Sequence, residues 1–589
     1  MPTIDKLSGT PSIGDNDMIP IYSVAARGAR KAALSQIVGT ATERAIAGAT
    51  GAAIAAATPA VVAALGASDG ASKIGSGERT VADKLGERVS AFDVLSPNEI
   101  ANIKSTGTVR VDAKLQALID DIASKGGGAV YFPPGVYRIK NLFLRDKVKL
   151  WGLFGAVELK LPDGTDGQVL GNAPAVNGDG VDFISLSGLI IDGNKANSPR
   201  AKASSAAAFN TFSYFSARDC IFRNASGYAL GLQSVPGYLT TGGQQTNIYL
   251  ENCYFLDSGD GSLTGGDTYD GLDIKYCDHV TLVNCYAHRN KDKGINPRGK
   301  RITIIGGSCE DNVTVGYEFG VNINTSPNDE TRISVFGAEA TGSVHGFAFN
   351  SGADAGAGAV NINARYALTG CRSYGNSGHQ YYVASISKNA RLMLSDCHGY
   401  SGGGSGFRCD APAGSEAVEV LLTNCDFSSN NAAGVQTILT PIRMVNCQLT
   451  LNGTYGFYET GTGSRSVIGD GCILSGNGSG AIGTLSGTPN KFLRVAPTAY
   501  DGASNVVESA ATITLPFNSS YVVVNGTTTI TSITPGRDQQ RVSLRFSGAL
   551  TVTDGGNLVL AGNFVTTSSD TLSLICDGTN WFETGRSVN

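Results

Sequence analysis

The sequence predicts an all-β, single-stranded solenoid, a parallel β-helix, with short helical segments before it and a β-sandwich-like domain after it. Three observations predict this. Glycine supplies 77 of the 589 residues, about 13 %, near twice the usual ~7 %. A cysteine recurs through the middle of the chain, mostly once per 22 to 33 residues. A glycine follows nine residues after many of these cysteines.

Composition removes the alternatives. Hydrophobic residues make up 41 %, too many for a disordered chain. No Gly-X-Y period is present, which excludes collagen. The net charge is −5 without a basic stripe, so no nucleic-acid partner is expected. The start, MPTIDKLSGT, lacks the basic region and apolar core of a secretory signal. Ala45 to Ser68 is uncharged, but Pro59 interrupts it and its bulky apolar residues are sparse. An alanine-rich helical stalk fits it better than a membrane span.

The repeat is justified from its cysteines. All but one of the twelve lie between Cys220 and Cys472, and no CxxC occurs. Zinc-ribbon spacing is therefore absent and no metal or cofactor is expected. Several follow Asn or Asp: Asp219-Cys220, Asn252-Cys253, Asn284-Cys285, Asp396-Cys397, Asn424-Cys425, Asn446-Cys447. A small apolar thiol once per repeat suits a stacked interior column of reduced cysteines. Gly294, Gly406, Gly434 and Gly456 stand nine residues after a cysteine. Cys309 reaches Gly320 after eleven, and Cys472 reaches Gly480 after eight. An apolar residue and then a polar one usually follow, as in Ile295-Asn296 and Phe407-Arg408. That alternation is a short strand with one buried face. Two or three such strands per repeat describe one coil of a β-helix.

The flanks differ. Val111 to Ser124 has helical periodicity, with Leu115, Leu118, Ile119 and Ile122 on one face. It suits the cap that an open-ended solenoid needs. GGGAVYFPPGVYRI (126–139) reads as turn, strand and turn. After Pro497 the cysteine spacing stops and Thr/Val-rich alternation begins. The expected division is an attachment segment (1–40), a stalk and linker (41–95), a cap (96–140), a β-helix (141–496) and a C-terminal trimerisation or carbohydrate-binding domain (497–589).

Three segments together resemble bacteriophage tailspikes. IDKLSGTPSIGDNDMIPIYSVAARGARKAALSQI (4–37) is similar to the virion-attachment segment of many tail fibres. RTVADKLGERVSAFDVLS (79–96) is similar to the segment preceding many tailspike β-helices. The helix followed by GGGAVYFPPGVYRI resembles the entry of pectate-lyase-like domains. SPNEIANIKSTGTVRVD replaces the acidic Gly-Asp-Gly segment usual before the capping helix. The resemblance implies a right-handed β-helix and a homotrimer in the phage virion. It also implies a phage tail or adaptor partner and cleavage of a bacterial surface polysaccharide.

The candidate site is where the repeat is interrupted. Eighteen residues separate Cys253 from Gly271 instead of nine. The added stretch is acidic, carrying Asp257, Asp260, Asp267 and Asp270, with Asp273 next. Aligning Gly271, Gly294 and Gly320 stacks Leu272, Ile295 and Val321 inward. It stacks Asp273, Asn296 and Asn322 outward, with Lys275, Arg298 and Asn324 two residues on. This register gathers Asp270, Asp292 and Glu318 in neighbouring coils, ~4.8 to ~10 Å apart, bracketing glycosidase carboxylate spacings. TYDGLDI and HRNKDKGIN also resemble the paired active-site segments of polygalacturonase-type hydrolases. That resemblance puts Asp270 and Asp292 forward for acid and base work. Lys293 stands where the family's second Asp would be, and its Gly-His-Gly segment is missing.

The candidate catalytic residues are Asp270, Asp292, Glu318 and Asp273. Lys275, Arg298, His288 and Asp267 are candidates for holding the polymer, and Tyr269 and Tyr317 for stacking on sugars. Each carboxylate also has an ordinary role open to it, as an Asx-turn or edge residue. Three functions stay open: an endo-glycosidic hydrolase, a lyase acting by β-elimination, and an adhesin that binds without cutting.

Overall fold

The structure is a computed structural model. It describes residues 61–65, 73–76, 79–80 and 89–589, the last without 173–180, 199–203, 234–246, 261–268, 321–329, 351–362, 386–389, 411–418, 439, 461–465, 485–493, 496–504 and 517–518. The chain divides into two compact units, Met1–Arg88 and Val89–Asn589. In the first, residues 61–65 are helical and Gly75–Ser76 pairs with Arg79–Thr80. The expected attachment segment and most of the stalk lie outside the described residues. Among the described residues no helix is long and apolar enough to cross a membrane.

The second unit opens with a cap. Ser96 and Glu99 form a reciprocal capping box with Pro97 in the first turn, and helix α1 (Pro97–Ser105) follows. That signal, Ser-Pro-x-Glu, is readable in the sequence but stood outside the expected elements. Helix α2 (Asp112–Ser124) buries Leu115, Leu118, Ile119 and Ile122, as its periodicity predicts. Both helices pack over the first coils.

Beyond them the chain winds as a parallel β-helix. Three parallel sheets of fifteen, ten and thirteen strands run along it. Each regular coil gives one strand to each, as in Arg301–Ile305, Ser308–Glu310 and Val315–Phe319. The fifteen-strand sheet already starts at Val89–Ser90, which pairs in parallel with Gly128–Phe132, so its first strands precede residue 141. One continuous apolar core runs from Ala91 to Ala481.

The corner between the first two sheets explains the Asn-Cys pairs. Asp219, Asn252, Asn284, Asp396, Asn424 and Asn446 all have φ between 48° and 55°. Short polar side chains tolerate this left-handed region. Their side chains bond along the shaft: Asn446 donates to Asn424 at 2.8 Å and Asn424 to Asp396 at 3.2 Å. The next residue then points inward. All twelve cysteines are free and buried, as expected of reduced core residues, although Cys277, Cys309, Cys409 and Cys576 stand outside this column; burial pushes the Cys220 and Cys285 thiols up to about 12.

Two register expectations are corrected here. Ile295 pairs with Tyr317, not Val321. The corner of that coil is Gly306-Gly307, with Gly306 at φ 64°. Gly307 takes the cysteine position, while Cys309 pairs with Ala287, two residues further on. Counting from Gly307, the ninth residue is Gly316. Likewise Phe457 pairs with Ile482, so Ala481, nine after Cys472, takes the place expected of Gly480.

The C-terminal region has its own core, built on residues such as Val522, Leu544, Phe546, Leu572 and Trp581. Its main sheet is mixed. Val506–Glu508, Tyr521–Asn525 and Asp538–Phe546 pair in parallel, and only then do antiparallel strands follow. Thr/Val alternation marks a strand and its buried face but not the direction of its neighbour.

Candidate active site

The site lies on the outward face of the third sheet. Its successive strands are β1 (Leu230–Gln233), β2 (Leu272–Cys277), β3 (Ile295–Gly299), β4 (Val315–Phe319), β5 (His345–Asn350), β6 (Tyr381–Ser385) and β7 (Phe407–Cys409). Gly231 pairs with Asp273, and Asp273 with Asn296. With Ile295 on Tyr317, Asn296 comes beside Glu318, which pairs with Ala348. One outward column therefore reads Gly231, Asp273, Asn296, Glu318, Ala348. Side chains with no reach flank three polar ones.

A second column lies at the turn entering each strand. The Lys293 amide donates to Asp270 Oδ1 at 3.3 Å. Asn296 Nδ2 crosses from the first column and donates to Asp270 Oδ2 at 2.8 Å. Asn296 Oδ1 is buried without a hydrogen-bond partner. Asp270 is only 3 % exposed. Burial, reinforced by the neighbouring Asp273 and Asp292 charges, pushes its carboxyl up to about 7. At neutral pH this acid still holds a proton for part of the time.

Lys293 is the hub of the cluster. Its Nζ lies 3.4 Å from Glu318 Oε1 and 3.7 Å from Asp292 Oδ2. Asp270, Glu318 and Asp292 together raise its pKa against the opposing effect of burial. Both carboxylates approach one ammonium, so these oxygens are at most about 7 Å apart, below the ~9.5 Å upper limit of glycosidase pairs. The Glu318 and Asp292 side chains are 16 % and 14 % exposed, so they form the rim above a floor made by Asp270. Thr314 Oγ1 donates to Asp292 and fixes its rotamer. Among the described residues no group of three His, Cys, Asp or Glu side chains is arranged to hold a metal ion. Lys293 fills the space between these carboxylates.

Asp273 sits beside this group with different partners. Lys275 Nζ is 3.0 Å from its Oδ2, and an Arg298 guanidinium nitrogen is 3.2 Å from its Oδ1. Lys275 also reaches the Tyr228 hydroxyl at 3.3 Å. Tyr228 meets Tyr269 edge-on, centroids 5.0 Å apart. Burial and the Asp273 charge raise the Tyr228 pKa, so its phenol stays protonated.

The structure thus brings together Asp270, Asp273, Asp292, Glu318, Lys275, Arg298 and Tyr269. Other candidates fall elsewhere. Tyr317 is wholly buried, stacked on Phe347 with centroids 5.0 Å apart. It is a core residue and offers no face to a sugar. The register is the reason: it carries both residues from the expected turn into the strand, where Tyr317 faces inward and Glu318 outward. His288 lies on the second sheet, bonded to Ser308 and near Glu310. Asp257 pairs with Arg289 at 2.8 Å. Asp267 lies outside the described residues. Lys293, Asn296 and Tyr228 were not singled out. Lys293 carried a signal, since it replaces an acid in the hydrolase-like segment, but its reach to Glu318 depends on the true register.

No family model matches the chain. The chain is similar to the mannuronan C5-epimerase AlgE3 of Azotobacter vinelandii, 28 % identical over 192 residues. These residues are 31 % of this chain and 10 % of that protein. It is also similar to alginate lyase 7 of the same organism, 35 % identical over 92 residues, 14 % of this chain and 11 % of that protein. The chain thus spans about a tenth of the length of these curated relatives. Among solved structures it is similar to the AlgE6 A-module of A. vinelandii at 18 % identity and TM-score 0.46, covering 69 % of this chain and 99 % of that one. The tailspike protein of E. coli bacteriophage HK620, solved with a pentasaccharide, is similar at 13 % identity and TM-score 0.44, covering 87 % and 90 %. The parallel β-helix of this chain is established by its own strand pairings.

Proposed function

We propose that the chain is an endo-acting hydrolase of an acidic bacterial surface polysaccharide, borne as a trimeric tailspike. The observation that carries this is the pairing of a floor acid, Asp270, held up to about 7, with the rim carboxylates Glu318 and Asp292. In the proposed reaction Asp270 gives its proton to the glycosidic oxygen as the C–O bond breaks. Glu318 takes a proton from water, whose oxygen bonds to the anomeric carbon. Asp292 keeps Lys293 in place. Lys275 and Arg298 meet the acidic groups of the polymer.

One further fact supports hydrolysis over β-elimination. Elimination needs an unprotonated base, and both Lys293 and Tyr228 have raised pKa values. The named relatives support a uronate-containing polymer as substrate class, since one is an epimerase of mannuronan and one a lyase of alginate. The tailspike role rests on the N-terminal segments described above.

The test is digestion of polymannuronate, polygalacturonate and neutral dextran, followed by chain length. Shortening of a uronate polymer, with activity reduced ~10²- to 10⁴-fold in Asp270→Asn and Glu318→Gln, is expected. Full activity in both variants would remove the assignment. Binding without shortening would make the chain an adhesin.

A further inference from the structure

Two coils beyond the carboxylates, the same sheet face carries a second constellation. Ala348 pairs with Tyr382, and Tyr382 with Arg408, so the outward column continues as Glu318, Ala348, Tyr382, Arg408. In the turn column Val315 pairs with His345, and His379 follows on the next coil. The two imidazoles stack with centroids 5.3 Å apart and planes 6° apart. Tyr382 packs against both, 4.5 Å from His345 and 5.2 Å from His379.

The ring orientations are fixed from the backbone. The His379 amide donates to His345 Nδ1 at 3.1 Å, and the Ser405 amide donates to His379 Nδ1 at 2.9 Å. A ring whose Nδ1 accepts carries its hydrogen on Nε2 when neutral. Burial and the Arg408 charge lower both pKa values, His379 to about 4, so both rings are neutral near pH 7. Neither Nε2 has a hydrogen-bond partner among the described residues. Arg408 binds Asp410 at 2.8 Å, and the Tyr382 hydroxyl donates to the same carboxylate at 3.3 Å. The rings are half-buried, and their spare capacity is two parallel N–H donors beside an aromatic face. Half-buried imidazoles kept neutral and aligned at one-coil spacing suit a ligand that repeats along the shaft.

We propose that His345, His379 and Tyr382 form a distal sugar subsite, which accepts a unit of the bound polysaccharide away from the bond being cut. Its oxygens accept from the two Nε2–H groups, and its C–H face lies on the rings. Ala348, between Glu318 and Tyr382, leaves the path between the two sites open. From Glu318 to Tyr382 is two rungs, ~10 Å, so only chains longer than the cleaved pair of units reach it. This subsite rests on the hydrolase reading of the carboxylate cluster and adds chain-length preference to it.

The test uses polymannuronate fragments graded by size. His345→Asn and His379→Asn keep an acceptor near each Nδ1 position while removing the Nε2 donor and the ring face. The double variant is expected to raise KM for long fragments roughly tenfold and leave kcat and the turnover of the shortest cleaved fragments unchanged. His345→Gln with His379→Gln, which returns an N–H near each Nε2 position, is expected to recover part of the loss. Binding of the same fragments in the Asp270→Asn background is expected to weaken for long chains only. Equal KM for long and short fragments in parent and double variant, with Asp270→Asn inactive, overturns the subsite alone. An active Asp270→Asn overturns the hydrolase reading instead.

Discussion

In the proposed reaction Asp270 carries the chemistry at the scale of one residue. A carboxyl raised from 3.8 to about 7 in the folded chain has two consequences of opposite value. As an acid it works only while protonated, so kcat/KM is expected to fall as pH rises above about 7. For stability, the folded chain holds a proton that the unfolded chain has released. Stability is therefore present below about pH 4 and lost as pH rises toward 7. Asp270→Asn is expected to raise the unfolding midpoint above pH 7 by a few degrees while abolishing cleavage, read by calorimetry and product assay. The Lys293 ammonium holds the Asp270 pKa down against burial. Lys293→Met is accordingly expected to move the alkaline limb of any residual activity to higher pH. His379 behaves with the reverse sign. Its folded pKa is lowered from 6.5 to about 4, so its contribution is full above pH 6.5 and fades as pH falls toward 4. Replacing it by Asn is expected to flatten that part of the stability profile.

At the scale of the element, side-chain ladders set the coils. Asn290 Nδ2 donates to the Phe255 carbonyl at 3.0 Å and to Asn312 Oδ1 at 2.9 Å, while its own Oδ1 accepts from the Ser258 amide at 3.1 Å. Asn452 does the same further along, with Phe427 and Asn477. Both are buried, so removing either amide leaves backbone groups unsatisfied at ~1 to 3 kcal/mol. Asn290 lies two residues before Asp292 and three before Lys293. Asn290→Ala is expected to lower both stability and activity, and Asn452→Ala stability alone, read by chemical denaturation and turnover.

The same ladders show how far the sequence could be read. Asn before Cys was visible because both residues leave a mark at one corner. The corner Gly306-Gly307 left neither mark, and Cys309, two residues on, drew the register to Gly320 instead of Gly316. That four-residue slip left Tyr317 and Glu318 at a turn, whereas both belong to the strand, Tyr317 on its inward face and Glu318 on its outward one. Glu318 was chosen for its place at a turn and stands in the site for another reason, its outward position beside Asn296. Lys293 could be read as a substitution in a motif, but its contact with two carboxylates depends on three coils meeting in one register.

At the scale of the whole molecule, the solenoid was legible because a stack of similar coils repeats its signals along one dimension. Direction of pairing is not carried by alternation, which is why the parallel start of the C-terminal sheet was missed. Solenoid ends need covering, and here the capping box at Ser96, α1 and α2 do so. A chain beginning at Val89 is expected to stay soluble and keep full cleavage activity. One beginning at Val111 loses α1 and is expected to aggregate, as size-exclusion chromatography would show.

The central claim is that water, not elimination, resolves the broken bond. The direct measurement is mass spectrometry of products formed from polymannuronate in heavy-oxygen water. Hydrolysis places one heavy oxygen at each new reducing end and leaves both fragments saturated. Fragments lighter by one water, with an unsaturated end and no heavy oxygen, would contradict it.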